Sequence, residues 1–198
     1  MTHKFLILLS CATLALAACG KHDNASTGGA DTGNATDVNA TTSDNGMAAN
    51  SAATAPAPTT AQGFVNAAAA SDRFEIQSSK LAEASASSSA VKKFAAQMIS
   101  AHTASTAKLK SVVGSLNPPL TPDDTLAPDQ QQTLDSLKGL KGSAFDSAYA
   151  QAQQAGHQKA LDMLKSYSTS GDNAALKSFA SAMIPTVTAH LNLAKGLK

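Results

Sequence analysis

The stretch from Ser88 to Gly114, SSAVKKFAAQMISAHTASTAKLKSVVG, indicates the fold. Its larger apolar residues return at alternating steps of three and four, the spacing that places side chains on one face of an α-helix. His102 lies on the same stripe, where an apolar residue is expected. Gly114 and the Asn-Pro-Pro turn at 117–119 end the pattern. We therefore predict an amphipathic helix over 88–114 that buries one face.

Three other stretches show the same periodicity and predict helices over 64–86, 143–169 and 172–196, with a short helix near 129–138. Ser143 and Asp172 are the predicted N-caps, and Pro185 is expected to kink the last long helix or loosen its first half. The connection between the second and third long helices is much longer than the other two. The predicted fold is all-α, a ferritin-like four-helix bundle with a long crossover between helices 2 and 3.

The beginning of the chain predicts export. Residues 1–18 have a short basic start and an apolar run below the ~20 residues that span a membrane, which is typical of a signal peptide. Residues 19–62 are small and polar, and predict a flexible tether. Residues 63–198 form the predicted bundle domain.

The predicted cleavage region, Leu16-Ala17-Ala18-Cys19-Gly20, resembles the lipobox of bacterial lipoproteins. The resemblance implies that Cys19 becomes the N-terminus, carries acyl chains such as palmitate, and anchors the protein in the lipid membrane. Gly20 differs from the Asp that resembles an inner-membrane retention signal. We therefore expect an outer-membrane lipoprotein that faces the periplasm.

The composition argues against several function classes. The sequence has 15 Lys and Arg against 14 Asp and Glu, 4% aromatic residues and no Trp, so it lacks the basic surface that nucleic-acid binding needs. Cys11 and Cys19 both fall outside the predicted bundle, which leaves it no cysteine nucleophile. The common hydrolase, nucleotide-binding and metalloprotease motifs are also absent from the sequence. No catalytic residue is predicted.

Four ionisable residues, one from each predicted long helix, lie on the apolar stripes or at their edge: Glu75, His102, His157 and His190. A buried carboxylate is costly unless it is paired or ligated. Imidazole and carboxylate groups together suit Zn, Fe, Mn or Cu. We name these four residues as candidate ligands of one transition-metal ion. The alternative is that the histidines are hydrogen-bonded core residues.

Two further features bear on the kind of metal site. Met98 and Met183 lie within two helical turns of His102 and His190, which suits either a soft copper(I) site or simple filling of the core. Di-metal bundles use Glu-x-x-His pairs, and this sequence has none. Its only glutamates, Glu75 and Glu83, are both on the first helix. This argues against ferroxidase-type chemistry and leaves a mononuclear or degenerate site.

Residues 63–197 resemble the bacterial domain-of-unknown-function 4142 family. The resembling stretches are Phe64-Val65 with Glu75 and Lys80-Leu81-Ala82, Val91 to Ala95 with Met98 and His102, Phe145-Asp146 with Ala148-Tyr149, His157 to Ala160, and Ile184-Pro185-Thr186 with His190-Leu191. The resemblance implies an exported, ferritin-like domain. Relatives commonly carry an acidic residue just before the second- and third-helix histidines, where this chain has Ala101 and Gly156.

Three classes of function remain open at this point. We predict first a non-enzymatic envelope lipoprotein whose protein partner and role, such as stress tolerance, are unknown. The second class is storage, scavenging or sensing of a transition metal through the Glu/His cluster. The third is a redox or hydrolytic enzyme that uses the same site.

Overall fold

The computed structural model of the protein describes residues 57–197, which lie in one compact unit, Ser51–Lys198. Five helices make up this part of the chain: α1 (Ala61–Ser85), α2 (Ser89–Gly114), α3 (Pro128–Lys138), α4 (Gly142–Ser170) and α5 (Ala174–Lys195). Residues 57–197 contain no strand, which confirms the all-α prediction. The predicted signal peptide, Cys19 and most of the predicted tether lie outside the described residues.

The four long helices pack as two hairpins. Residues 86–88 connect α1 to α2, and residues 171–173 connect α4 to α5. Contacts of α1 with α4 and of α2 with α5 join the hairpins into a bundle. The crossover at 115–141 contains α3, which packs on α1 and α4. The predicted long connection is therefore present, and its short helix covers the side of the bundle where α1 meets α4.

Both predicted N-caps are wrong. Helix α4 begins at Gly142 rather than after Ser143, and no side-chain hydrogen bond caps it. Gly142 adopts a left-handed φ of 61°, which favours glycine. Helix α5 is capped by Asn173, whose side chain accepts from the Leu176 N–H at 3.1 Å. Asp172 instead accepts a hydrogen bond from the Tyr167 hydroxyl at 2.8 Å.

Pro185 does not divide the last helix. Helix α5 runs from Ala174 to Lys195 with Pro185 inside it. Proline has no N–H for the carbonyl four residues earlier, that of Ser181. The surrounding packing holds the helix together across this position, since Ala180, Val187 and Leu191 are all buried.

The core consists of two apolar clusters, one towards each end of the bundle. One is built around Phe64, Leu109, Leu164 and Leu176, and the other around Val91, Met98, Phe145 and Tyr149. Along α1, α2 and α4, polar side chains occupy the positions between the two clusters. These side chains and one histidine of α5 make up the polar layer, which consists of Asp72, Glu75, Ser78, His102, Gln153, His157 and His190.

None of the helices in residues 57–197 combines the length and the hydropathy that a membrane crossing requires.

Candidate metal centre

The polar layer places three histidines from three helices beside one another. His102 lies on α2, His157 on α4 and His190 on α5. Their ring centroids form a nearly equilateral triangle, at 5.7 Å for His102–His157, 5.7 Å for His102–His190 and 5.4 Å for His157–His190. One nitrogen from each ring lies within 4.8 Å of the other two. The structure therefore brings together the three predicted histidine ligands.

Each of these rings has one buried nitrogen without a hydrogen-bond partner. These atoms are His102 Nε2, His157 Nε2 and His190 Nδ1. Folded proteins leave few buried polar atoms unpaired, because each one has lost its water without compensation. Three such atoms in one cluster form a group of buried polar atoms that a ligand, an ion or a water would pair.

An acidic side chain of α1 orients His102. His102 Nδ1 lies 2.8 Å from Asp72 Oδ1, and the Thr106 hydroxyl donates to Asp72 Oδ2 at 3.0 Å. A carboxylate only accepts hydrogen bonds, so the ring carries its proton on Nδ1. In the neutral ring this leaves the Nε2 lone pair free, as in the carboxylate–histidine pairs that support metal ligands.

The backbone orients His157 in the same way. Its Nδ1 donates to the Gln153 carbonyl oxygen, one turn earlier on α4, at 2.8 Å. A carbonyl can only accept, which leaves the unpaired Nε2 as the acceptor atom. Two of the three rings are thus held in the tautomer that presents a lone pair to the cluster.

Glu75 lies next to the histidines but outside their group. Its Oε1 is 3.7 Å from His157 Nδ1, which already donates to the Gln153 carbonyl. Glu75 does not belong to the set of ligand atoms that lie within 4.8 Å of one another. Its Oε2 has no protein partner. The structure therefore separates Glu75, as a neighbouring buried charge, from the three histidines.

Burial dominates the protonation of this site. It lowers the pKa of His157 to about 4 and, together with the charge of His102, lowers the pKa of His190 to about 4. Burial also raises the pKa of Glu75 to about 7, although the charge of His102 and the Gln153 amide oppose the shift. For His102, burial lowers the pKa, but the Asp72 hydrogen bond and the Glu75 charge outweigh it and raise the pKa above its usual value. At neutral pH, His157 and His190 are neutral and can act as ligands.

The two methionines of the predicted copper(I) alternative lie in different environments. Met98 is buried in the apolar cluster at the Phe145 end of the bundle. Met183 lines a cavity of about 40 Å³ that His102, Asp72 and Met163 also border. Of the two, Met183 is therefore the thioether that shares a space with a histidine of the cluster.

Sequence reasoning missed Asp72 and the backbone carbonyl of Gln153. Asp72 and Glu75 are three residues apart on α1, a spacing that places both on one helix face. Asp72 is 6% exposed, so the spacing of these two acidic residues could have predicted that Asp72 lies on the buried face with Glu75. The hydrogen bond to the Gln153 carbonyl could not have been predicted from the sequence, because it depends on the rotamer of His157.

The donor set and the spacing suit a metal ion. Nitrogens that share one ion at about 2.0–2.1 Å in a tetrahedral site lie about 3.4 Å apart. One nitrogen from each of the three rings lies within 4.8 Å of the other two. Each ring would therefore move inwards by less than about 1 Å to reach the tetrahedral spacing. That the histidines hold a metal stays a prediction, but the geometry does not oppose it.

Comparison with known proteins agrees with the fold. The described region is similar to a solved structure, CopM in the Cu(II)-bound form, at 18% sequence identity and a TM-score of 0.58, over 69% of this chain and 94% of that one. At this identity the likeness shows the fold alone. No curated protein matches the chain. The profile of a family described as a domain of unknown function, DUF4142, matches residues 46–197. Because this match covers most of the sequence, the chain belongs to the DUF4142 family.

Proposed function

We propose that the bundle binds one transition-metal ion through His102, His157 and His190. Two observations carry the proposal: one nitrogen of each ring lies within 4.8 Å of the other two, and each ring has a buried nitrogen without a hydrogen-bond partner. A metal ion would use all three lone pairs and remove the cost of leaving them unpaired. Such an ion supplies Lewis acidity or, for copper or iron, a redox couple.

Copper is the first candidate for the ion. Nitrogen ligands bind Cu(II) more tightly than the other divalent ions of the first transition row. The similar solved structure is of a protein in a Cu(II)-bound form, which supports testing copper before zinc, nickel or manganese. Glu75 would contribute negative charge near the ion rather than a ligand atom.

The residues around the histidines prepare the site for a cation. Asp72 and the Gln153 carbonyl hold the protons of His102 and His157 on Nδ1. The low pKa values of His157 and His190 keep these rings neutral, so two ligands need lose no proton. His102 is the ring whose protonation competes with the metal, and Asp72 remains hydrogen-bonded to it on the side away from the site.

Competition titration tests the proposal directly. The full chain, prepared without a histidine tag, is titrated with Cu(II) and separately with Zn(II) against a chelator of known affinity. We expect one tight site per chain, weakened at least about tenfold by His190→Ala, because one of three ligands is lost. His22→Ala is the matched control, since it removes a histidine that precedes the bundle. Equal weakening by both variants, or no tight site in the unmodified chain, would contradict the proposal.

We further propose that the protein is a lipoprotein, anchored through Cys19 in the outer membrane and facing the periplasm. This proposal rests on the Leu16–Cys19 pattern in the sequence and on the polar tract after it. In that setting the metal site serves storage, scavenging or sensing rather than ferroxidase chemistry, because both glutamates of the chain lie on α1. A Cys19→Ala protein should leave the membrane fraction. Its retention there would refute the anchor.

A further inference from the structure

A cavity of about 220 Å³ lies between α1, α3 and α4, and the proposed metal centre does not use it. Most of its walls are small or apolar: Ala67, Ala70, Phe74, Ala152, Ala155 and Met163. Its charged lining residues are Glu75, Asp129 and Lys159. The last two form an ion pair at 2.7 Å, with side chains 57% and 55% exposed, and mark the solvent side of the cavity.

Glu75 is the charged group on the inner side of this cavity. The residue is 2% exposed, and its Oε2 has no protein partner. A buried carboxylate oxygen without a hydrogen bond is costly, so an occupant that supplies one gains free energy.

Gly156 leaves space beside this carboxylate on the cavity side. Both residues line the cavity, and a Cβ on residue 156 would lie 2.9 Å from Glu75 Oε1 and 3.6 Å from the ring of Phe74. Any larger residue would occupy the space beside the carboxylate. The glycine therefore leaves room beside Glu75 Oε1 at the inner end of an otherwise apolar space.

The charges of the lining select the occupant. Asp129 and Lys159 neutralise each other, so Glu75 is the lining charge that has no opposite charge within the cavity; His102, whose charge also acts on it, lies outside the lining. An anion would meet a second negative charge there, and a neutral molecule would leave the carboxylate without a countercharge. We propose that this cavity binds a small molecule with a compact apolar body and one ammonium group, which Glu75 holds as an ion pair.

The volume sets the size of the ligand. An engineered apolar cavity of about 150 Å³ holds benzene. A cavity of about 220 Å³ therefore accommodates about eight or nine non-hydrogen atoms by the same scale. Benzylamine matches this size, apolar body and charge, and benzyl alcohol is its neutral counterpart of nearly identical shape.

Calorimetric and NMR titrations of the full chain, stripped of metal with EDTA, test the proposal. We expect saturable 1:1 binding of benzylamine with a Kd of about 1 mM or lower, and shifts of the amide signals of Ala155 and Gly156. Benzyl alcohol should bind about tenfold more weakly, because it lacks the charge. Glu75→Gln should weaken the binding of benzylamine about tenfold as well. Ala67→Leu should abolish binding by filling the cavity. Glu83→Gln, which removes an exposed carboxyl from the same helix, should have no effect.

Three results would overturn the proposal: no saturation by benzylamine at about 10 mM, equal affinity for the amine and the alcohol, or unchanged amine binding in Glu75→Gln. Circular dichroism of each variant shows whether it is folded, and Ala67→Leu provides a test that leaves Glu75 in place. Because the titration uses metal-free protein, its outcome is independent of copper binding. A chain that binds copper but not benzylamine contradicts only this inference, and the reverse result contradicts only the proposed metal centre.

Discussion

Replacing Glu75 with glutamine should make the stability of the metal-free protein less sensitive to alkaline pH. The Glu75 carboxyl is buried, and its pKa rises from 4.5 to about 7 on folding. Between these two pH values the native state holds a proton that the unfolded chain has lost, so Glu75 makes the native state less stable as pH rises. Glutamine has the same shape and does not ionise, so the variant avoids this loss.

The size of the effect follows from the shift. The difference between pKa values of 4.5 and about 7 corresponds to about 3 kcal/mol of stability. This is an upper value, because His102 readjusts when the carboxylate is removed. At about pH 4.5 the variant and the unmodified protein should be of similar stability. At about pH 8 the variant should be the more stable by roughly 2–3 kcal/mol. The sign is opposite to that of a carboxylate in a favourable ion pair, whose removal costs most at high pH.

Urea unfolding followed by circular dichroism measures both free energies of unfolding in the presence of EDTA. Glu83→Gln is the matched control, since Glu83 is exposed on the same helix. The difference in the free energy of unfolding between Glu75→Gln and the unmodified protein should change between the two pH values. A change of less than about 1 kcal/mol refutes the reasoning. It is also refuted if the variant is the less stable protein at the higher pH.

Three further substitutions test the parts of the structure that hold the site. Asp72→Asn should weaken metal binding by about 10-fold to 100-fold in the competition titration, because it removes the charged partner of His102; unchanged affinity would exclude an orienting role. Asp146→Ala should lower the free energy of unfolding by about 2 kcal/mol, since its carboxylate accepts from the backbone N–H groups of Ser87 and Ser88 before α2. A loss below about 0.5 kcal/mol in urea unfolding would contradict that capping role. Tyr149→Phe should cost about 1 kcal/mol in the same assay, because it removes the partner of the buried Ser79 hydroxyl; a more stable variant would contradict this account.

The periodic positions of large apolar residues were sufficient to predict the long helices within a few residues at each end. Burial of one stripe per helix is the main source of helix stability in a bundle, and that stripe is visible in the sequence. The helix ends at residues 142 and 173 were mispredicted because they depend on a left-handed glycine and on which of two neighbouring side chains turns towards the backbone. Such local choices differ by small free energies that a residue pattern does not encode.

The candidate site was predictable in part for the same reason. Histidines on apolar stripes indicate a polar layer inside a bundle, and His102, His157 and His190 do meet there. The separation of Glu75 from them was not predictable, because it depends on the rotation of α1 about its axis and on the cavity opened by Gly156. The supporting role of Asp72 likewise depends on the distance between α1 and α2.

The measurement that tests the central claim most directly is X-ray absorption spectroscopy of the copper-loaded full chain. The account predicts a first shell that contains three imidazole nitrogens at about 2.0 Å, together with outer-shell scattering from their rings. It also predicts that His190→Ala reduces this number to two. A shell of oxygen atoms with a single imidazole, or a spectrum unchanged by His190→Ala, would contradict the assignment of the metal to His102, His157 and His190.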